Sequence, residues 1–239
     1  MSLSPKRRTT SSKYSSASCG RFSAARANPL FRTEAGRHGD GCRATIRGAV
    51  MRPTASDVSI CHYRLSRVEY DRAVEAGAFE PDAKVELIDG DLNAMTPEGV
   101  SHTTGIDLVA DCLRRVFGSG FHVRIQHPLA VDDYSEPEPD VAVVKGTIRD
   151  YAETHPREAV LVVEVSHESL RYDRTVKQRL YARCGIPEYW ILALPESRLE
   201  VYRDPAGDAY QSVTNHAAGD KVAPLARPDV QAVVDDLLP

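Results

Sequence analysis

The sequence predicts a mixed α/β or α+β fold, in which a central sheet is flanked by helices. Helical and strand-like segments follow one another in the order helix, hairpin, helix, several strands, helix and further strands. The helical segments show apolar residues at helical spacing, whereas the strand-like segments are short apolar runs. A hydrophobic content of 42% and a charged content of 27% are typical of a globular domain.

The first helix and the hairpin that follows it have clear boundary signals. Ser66 is predicted to be an N-cap, and Glu69 three residues later completes a capping box. Gly77 is suited to the carboxyl end of this helix. In "KVELIDGDLNAM", Asp89 and Gly90 predict the tight turn of a hairpin between two short strands.

The remaining elements are predicted from periodicity and from glycines. "SHTTGIDLVADCLRRVFGSG" predicts a helix that ends at Gly118. "FHVRIQHPLAV", "PDVAVVK" and "AVLVVEVS" predict three strands. Asp173 is then expected to cap a helix that runs to about Arg183, with Val176, Leu180 and Cys184 on its buried face. "PEYWILAL", "RLEVYRD" and "DAYQSVTN" predict further strands.

The amino-terminal part has a different composition. Residues 1–50 contain ten Lys and Arg and two acidic residues, so the other 189 residues carry 20 basic against 32 acidic side chains. Residues 1–55 lack hydrophobic periodicity and are predicted to be a disordered basic extension before a folded domain at residues 56–239. A transit peptide, a basic arm and an over-extended gene start are the three interpretations. The last, with Met51 as the first residue, is favoured.

Cysteine usage and hydropathy bear on the cellular location. The five cysteines are widely scattered, form no CxxC pair and are odd in number, which favours reduced thiols over a disulfide framework or a zinc site. No apolar run approaches the ~20 residues of a membrane span. A cytoplasmic protein with no membrane segment is therefore expected.

Two carboxylates occupy unexpected positions. Glu164 interrupts the apolar run "LVVEV", and an unpaired buried carboxylate costs several kcal/mol. Its partner is therefore either a structural Arg or Lys or a divalent metal ion. Asp140 directly precedes the apolar run "VAVV", at the mouth of a strand. If these strands are neighbours, both acids can converge on one Mg²⁺, which prefers oxygen ligands.

The helix after the Glu164 strand adds positive charge. Lys177 could reach back toward both acids, or it could pair with Asp173 four residues earlier. Arg171 and Arg174 lie on the same segment and are the best local candidates for contacting a phosphate backbone, although a solvated basic face explains them as well.

Two further residues are accessory candidates. Glu86, in the apolar run "VELID", either completes the surroundings of the ion or pairs with a nearby base. His102, at the start of a helix, either orients a water or phosphate or is a plain surface histidine. A Walker A loop, GxGxxG, HExxH and GxSxG are all absent from the sequence.

These segments together resemble a known family. "VELIDGDL", "SHTTGIDLVADCL", "EPDVAVV" and "LVVEVSHESLRYDRTVKQRLYARCGIPEYWIL" occur in the order found in the Uma-two family, whose members resemble restriction endonucleases of the PD-(D/E)XK superfamily. The resemblance implies a restriction-endonuclease-like fold, with a mixed central sheet flanked by helices and one metal-dependent site. It does not cover the first fifty or so residues.

The resemblance assigns roles to individual residues. It makes Asp140 the Asp of the "PD" element and Glu164 the acid of the second element. The Lys expected two residues later is replaced by Ser166, and the resemblance moves its role to Lys177. Glu86 matches the acid of the "ELIDG" segment.

The function implied is hydrolysis of phosphodiester bonds with Mg²⁺ or Mn²⁺ bound by Asp140 and Glu164. DNA is the expected substrate, and a homodimer is one expectation because a symmetric cut of both strands needs two sites. Two alternatives stay open: a nucleic-acid-binding module without catalysis, and an interaction protein of a mobile-element system.

Overall fold

The computed structural model describes residues 62–80, 83–95 and 99–239, so the predicted basic extension lies outside the described residues. The helices are α1 (Arg67–Glu75), α2 (Val100–Phe117), α3 (Leu170–Tyr172) and α4 (Gln178–Arg183). The strands are β1 (Val85–Ile88), β2 (Asp91–Ala94), β3 (Phe121–Ile125), β4 (Val141–Lys145), β5 (Leu161–Ser166), β6 (Glu188–Ala193), β7 (Arg198–Ala206), β8 (Ala209–Ala217), β9 (Lys221–Val222) and β10 (Ala232–Val233). Short 3₁₀ helices cover Ile148–Tyr151, Leu194–Glu196 and Val234–Asp236.

Six strands form the central sheet, in the order β3-β4-β5-β6-β7-β8. The pairing of β5 with β6 is parallel, and the other four pairings are antiparallel. Every residue of β5 and of β6 is buried, as expected for strands covered on both faces. The prediction of a mixed central sheet with flanking helices is therefore confirmed.

Period-two alternation divides the core into two clusters, one on each face of the sheet. Val163 and Val165 of β5 pack in the same cluster as the apolar face of α2. Val162 belongs to the opposite cluster, together with Tyr181 of α4. Because Glu164 alternates with Val163 and Val165, its side chain lies on the same face as Val162.

The helix predicted to begin at Asp173 is longer than expected and is not uniform. It consists of α3, a π-helical turn over Asp173–Lys177 and α4, which we call together the composite helix. Its N-cap position is Ser169, so the prediction that Asp173 is the N-cap is wrong. The prediction that Val176 is buried is wrong too, since its side chain is 37% exposed. The π turn adds a residue to the helical turn and shifts which residues face the sheet.

The hairpin β1–β2 is attached to the long loop between β3 and β4. Its turn residues Asp89 and Gly90 have φ values of 55° and 87°, the left-handed conformation that a tight hairpin requires. Leu87 in β1 and Glu136 in the loop exchange two backbone hydrogen bonds, with N–O distances of 3.4 and 2.7 Å. These bonds hold β1, and with it Glu86, against the loop that leads into β4.

A glycine allows α2 to approach the sheet. A Cβ atom on Gly105 would lie 2.9 Å from Cγ1 of Val165 in β5, closer than real contacts allow. Gly105 stands one turn after His102, so this close approach also fixes how far His102 lies from the end of β5. Within the described residues, no helix has the length and apolar character needed to cross a bilayer.

Gly105→Ala is expected to lower the free energy of unfolding by about 1–2 kcal/mol. Overpacking costs about 1–3 kcal/mol, which outweighs the ~1 kcal/mol that Ala gains over Gly in helix propensity. Urea unfolding measures the difference. Asp107→Ala is the matched control, because Asp107 is exposed on the same helix and gains helix propensity without overpacking. Equal stability of the two variants would contradict the packing role of Gly105.

Candidate active site

The pairing of β4 with β5 brings the two predicted metal-binding carboxylates together. Val141, the first residue of β4, lies opposite Val163, so Asp140 and Glu164, one residue further along each strand, come together where the ladder ends. The Asp140 amide donates to Glu164 Oε2 at 3.3 Å, and Asp140 Oδ2 accepts from the Val165 amide at 2.8 Å. Both carboxylates are buried.

Lys177 lies at the centre of the buried polar groups. Its Nζ is 3.0 Å from Glu164 Oε1 and 3.3 Å from Glu86 Oε2. The Tyr181 hydroxyl donates to the same Glu164 oxygen at 2.9 Å. Glu86 Oε2 also accepts from the Glu138 amide at 3.3 Å. One lysine thus joins β5, the β1–β2 hairpin and the composite helix.

The π turn brings a further acid into this cluster. Asp173 and Lys177, its first and last residues, are both buried. Asp173 Oδ2 accepts a hydrogen bond from the Ser166 hydroxyl at 2.7 Å. Ser166 therefore occupies the position two residues after Glu164 as a hydrogen-bond donor, and the cation comes from the helix.

His102 approaches from the opposite side of the sheet. Its Nε2 lies 3.4 Å from Asp140 Oδ2, an ion pair whenever the imidazole is protonated. The histidine stands in the first turn of α2, and the close contact at Gly105 sets the position of that turn. His102 is therefore placed beside the Asp140 carboxylate and does not lie freely on the surface.

The buried cluster carries more negative than positive charge. It contains Asp140, Glu164, Glu86 and Asp173, and Lys177 is the buried cation within reach of them. Burial raises the pKa of Glu164 to about 8; Lys177 opposes this shift, and the neighbouring carboxylates reinforce it. Burial also lowers the pKa of Lys177, but the carboxylates outweigh it and hold that pKa well above its ordinary value. Protons or a further cation must balance the excess charge.

The donor atoms suit a hard divalent cation. Asp140 and Glu164 offer carboxylate oxygens at the end of the β4–β5 ladder, and the cluster around them has excess negative charge. Among the described residues there is no group of three or more His, Cys, Asp or Glu side chains arranged to hold a metal ion. A divalent ion held by these two carboxylates would need the rest of its ligands from water or substrate.

The two predicted phosphate-binding arginines lie outside this cluster. Arg171 is exposed on the composite helix. The Arg174 guanidinium is 2.8 Å from Glu196 Oε2, and its Nε donates to Glu200 Oε2 at 3.1 Å. These hydrogen bonds raise the pKa of Arg174, so the guanidinium stays protonated. The carboxylates of Glu196 and Glu200 offset much of its positive charge. Arg171 is therefore the more accessible of the two.

Two members of the cluster were not predicted as site residues. Tyr181 holds Glu164, and Asp173 was interpreted as a helix cap. The signal was present in the sequence, because Asp173, Lys177 and Tyr181 recur every four residues and so share one helical face. Two charged residues and a tyrosine on one face of a helix indicate a polar site.

Comparison with models of known protein families shows which family the chain belongs to. The Uma2 family, described as "Putative restriction endonuclease", matches residues 68–235. The chain belongs to the Uma2 family. The resemblance seen in the four sequence segments is therefore confirmed, and the match extends beyond them toward the carboxyl terminus. Among curated proteins, none matches this Uma2 chain.

A solved structure shares the fold of this Uma2 chain. It is the crystal structure of a protein from Anabaena variabilis ATCC 29413, described as a putative nuclease belonging to DUF820. The TM-score is 0.55 at 15% identity, and the match covers 68% of this chain and 94% of the other. At this identity the comparison establishes the fold alone, a mixed sheet with flanking helices.

The stability of the metal-free Uma2 chain is expected to fall as the pH rises. Glu164 has a pKa of 4.5 when exposed and of about 8 in the fold. Between these values the folded protein retains a proton that the unfolded chain releases, at up to ~1.4 kcal/mol per pH unit. The contribution of Glu164 to the free energy of unfolding is therefore fully present below pH 4.5. It is lost as the pH rises through about 8. Urea unfolding in EDTA across this range measures the slope, and an unchanged slope in Glu164→Gln would contradict the assignment.

Lys177→Met is expected to destabilise the protein by about 3–5 kcal/mol at pH 8, because it leaves Glu164 and Glu86 buried without their cation. The loss becomes smaller at pH 5, where a proton neutralises Glu164, whose pKa burial raises to about 8. Urea unfolding in EDTA at the two pH values measures both effects. Arg171→Met, at an exposed position on the same composite helix, is the matched control and should change stability by less than ~0.5 kcal/mol. A loss for Lys177→Met that does not depend on pH would argue against charge pairing.

Proposed function

We propose that this Uma2 protein is a metal-dependent nuclease that hydrolyses phosphodiester bonds, with DNA as its substrate. The observation that carries this proposal is the meeting of Asp140 and Glu164 on opposed strands, with Lys177 bonded to Glu164. The Uma2 family and the Anabaena structure, each described as a nuclease, support it.

Asp140 and Glu164 would hold Mg²⁺ or Mn²⁺. Such an ion, when bound, lowers the pKa of a coordinated water and offsets the charge of the phosphate. The amide of Val165 holds Asp140 Oδ2, while Tyr181 and Lys177 hold Glu164 Oε1. These hydrogen bonds fix both carboxylates before any ligand arrives, and that is the arrangement that electrostatic catalysis requires.

Lys177 would act as a fixed positive charge and not as a base. Its pKa lies well above the ordinary value, so the amine remains protonated at neutral pH. The ammonium is held between Glu164 and Glu86 and cannot swing away without leaving both carboxylates unpaired. Preorganised positive charge of this kind stabilises the negative charge that develops on a phosphate during hydrolysis.

His102 and the arginines would complete the surroundings of the substrate. The imidazole lies beside Asp140 and would orient that carboxylate or a water molecule next to it. Arg171, which is exposed on the composite helix, would contact a phosphate of the backbone, with Arg174 as the second and partly neutralised contact. Two copies of the chain would be needed for a symmetric cut of both strands, so we propose that it acts as a homodimer.

A non-catalytic nucleic-acid-binding module is the second candidate. It is favoured by the saturation of Glu164, whose two oxygens already accept hydrogen bonds from Lys177, Tyr181 and the Asp140 amide. A carboxylate of this kind can serve a purely structural role. The two candidates differ in their response to metal ions and to loss of Asp140.

The purified chain is expected to cleave DNA in the presence of Mg²⁺ or Mn²⁺ and not in EDTA. Asp140→Asn and Glu164→Gln should each reduce the cleavage rate at least a hundredfold, the size of effect seen when a preorganised charged group is lost from an active site. Gel assays on single-stranded DNA, double-stranded DNA and RNA measure cleavage, and fluorescence anisotropy measures binding.

Asp107→Asn, an exposed substitution on α2, is the matched control and should cleave at the wild-type rate. Calorimetric titration with Mn²⁺ in the absence of nucleic acid gives an independent measure, because Glu164→Gln should lose Mn²⁺ binding. Equal cleavage by wild type and Asp140→Asn would contradict the nuclease proposal. Metal-independent binding without cleavage would favour the second candidate.

A further inference from the structure

A cleft of 640 Å³ lies beside the candidate active site, within the described residues. We call it the side cleft. One wall is α1, which contributes Arg67 and Tyr70, and the other includes Glu136 and Glu138 of the β3–β4 loop and Tyr151. Clefts of roughly 300–1,000 Å³ are the size class that holds small ligands and parts of larger ones.

A buried acid in the side cleft lacks a hydrogen-bond partner. Glu136 is only 4% exposed, and its Oε2 accepts no hydrogen bond. The Nε of Arg67 is buried and has no hydrogen-bond partner either, although Nη1 of the same guanidinium forms ion pairs with Glu136 Oε2 at 3.7 Å and with Asp71 Oδ2 at 3.8 Å. Burial raises the pKa of Glu136 to about 7, with Asp71 adding to the shift and Arg67 opposing it. Glu136 Oε2 can therefore still accept a hydrogen bond, and Arg67 Nε can still donate one, when a ligand enters the side cleft.

The side cleft and the active site share one stretch of backbone. Glu138 lines the cleft, and its amide donates to Glu86 Oε2, which in turn lies 3.3 Å from Lys177. Asp140 follows two residues later in the same loop, and Pro137 stiffens the path between Glu136 and Asp140. The side cleft and Asp140 therefore depend on one short stretch of the β3–β4 loop.

The charges of the side cleft select the chemical group that it can take. Its lining has five acidic side chains against two arginines and one histidine, which disfavours a phosphate and favours a group rich in N–H donors. Guanine presents two adjacent donors, N1–H and the 2-amino group, next to the O6 acceptor. Glu136 can accept from those donors while Arg67 donates to O6. Adenine has an acceptor where guanine has N1–H, so it would face the carboxylate with the wrong group.

We propose that the side cleft binds a guanine base of the substrate strand, next to the phosphate that is cleaved. Glu136 and Arg67 read the edge of the base, and Tyr70 and Tyr151 line the space in which its ring would stack. This assignment rests on the proposed nuclease function for the identity of the strand. It adds a sequence preference that resides in two side chains outside the carboxylate–lysine cluster.

Binding of the four deoxynucleoside monophosphates tests the proposal without any cleavage. They share the phosphate and sugar, so a difference in affinity reports the base. Calorimetry or saturation-transfer NMR is performed in EDTA at pH 8, above the Glu136 pKa of about 7. dGMP is expected to bind at least tenfold more tightly than dAMP. Glu136→Gln and Arg67→Gln should each remove that preference, and Asp140→Asn should retain it.

Glu158→Gln is the matched control, since Glu158 is exposed and does not line the side cleft. Circular dichroism and urea unfolding establish that each variant is folded. Equal affinity for dGMP and dAMP, no detectable dGMP binding at millimolar concentration, or a preference unchanged in both Glu136→Gln and Arg67→Gln would overturn the proposal. Failure of the nuclease proposal would appear separately, as absent cleavage with metal, whatever the mononucleotides do.

Discussion

The buried ammonium of Lys177, held between Glu164 and Glu86, is the interaction on which the rest of the site depends. Removing a lysine and its partners from water costs several kcal/mol that their attraction only partly offsets, so such a cluster is poor evidence for stability. The cluster is better explained as a means of fixing the positions of the elements that carry its charged groups. β5, the β1–β2 hairpin and the composite helix each contribute one charged group, and these elements must meet for the charges to be paired.

That requirement accounts for local features with no obvious role of their own. The π turn places both Asp173 and Lys177 on the buried side of the composite helix. The two backbone hydrogen bonds between Leu87 and Glu136 hold β1 close enough for Glu86 to reach the lysine. Gly105 lets α2 approach β5, so that the histidine one turn earlier lies beside Asp140. Each feature brings a charged group toward the same point.

The excess of carboxylates explains how an acidic chain can be suited to nucleic acid. The chain has a formal net charge of −4, which gives no general attraction for a polyanion. Within the cluster, however, the negative charge favours a divalent cation, and a cation bound there would attract phosphate where the bulk charge does not. The adjacent side cleft, also acidic, would exclude phosphate and accept a base. The two regions would thus separate the backbone of a bound strand from one of its bases.

Much of the fold followed from local signals in the sequence. The capping box of α1, the Asp89–Gly90 turn and the end of α2 at Gly118 were all predicted. They depend on residues close together in the chain, and backbone sterics and period-two or helical patterning govern them. The acids of the site were recognisable for the same reason, because Glu164 and Asp140 interrupt or flank apolar runs.

What the sequence by itself determined was therefore the set of elements and the chemically unusual residues on them. Only the tertiary structure decided which of those residues share a partner. The start of the composite helix at Leu170, the exposure of Val176 and the pairing of Lys177 with Glu86, ninety-one positions earlier, could not be read locally. A buried charge takes whichever opposite charge the packing brings within about 4 Å, and that choice depends on strand order and on how the composite helix packs against the sheet.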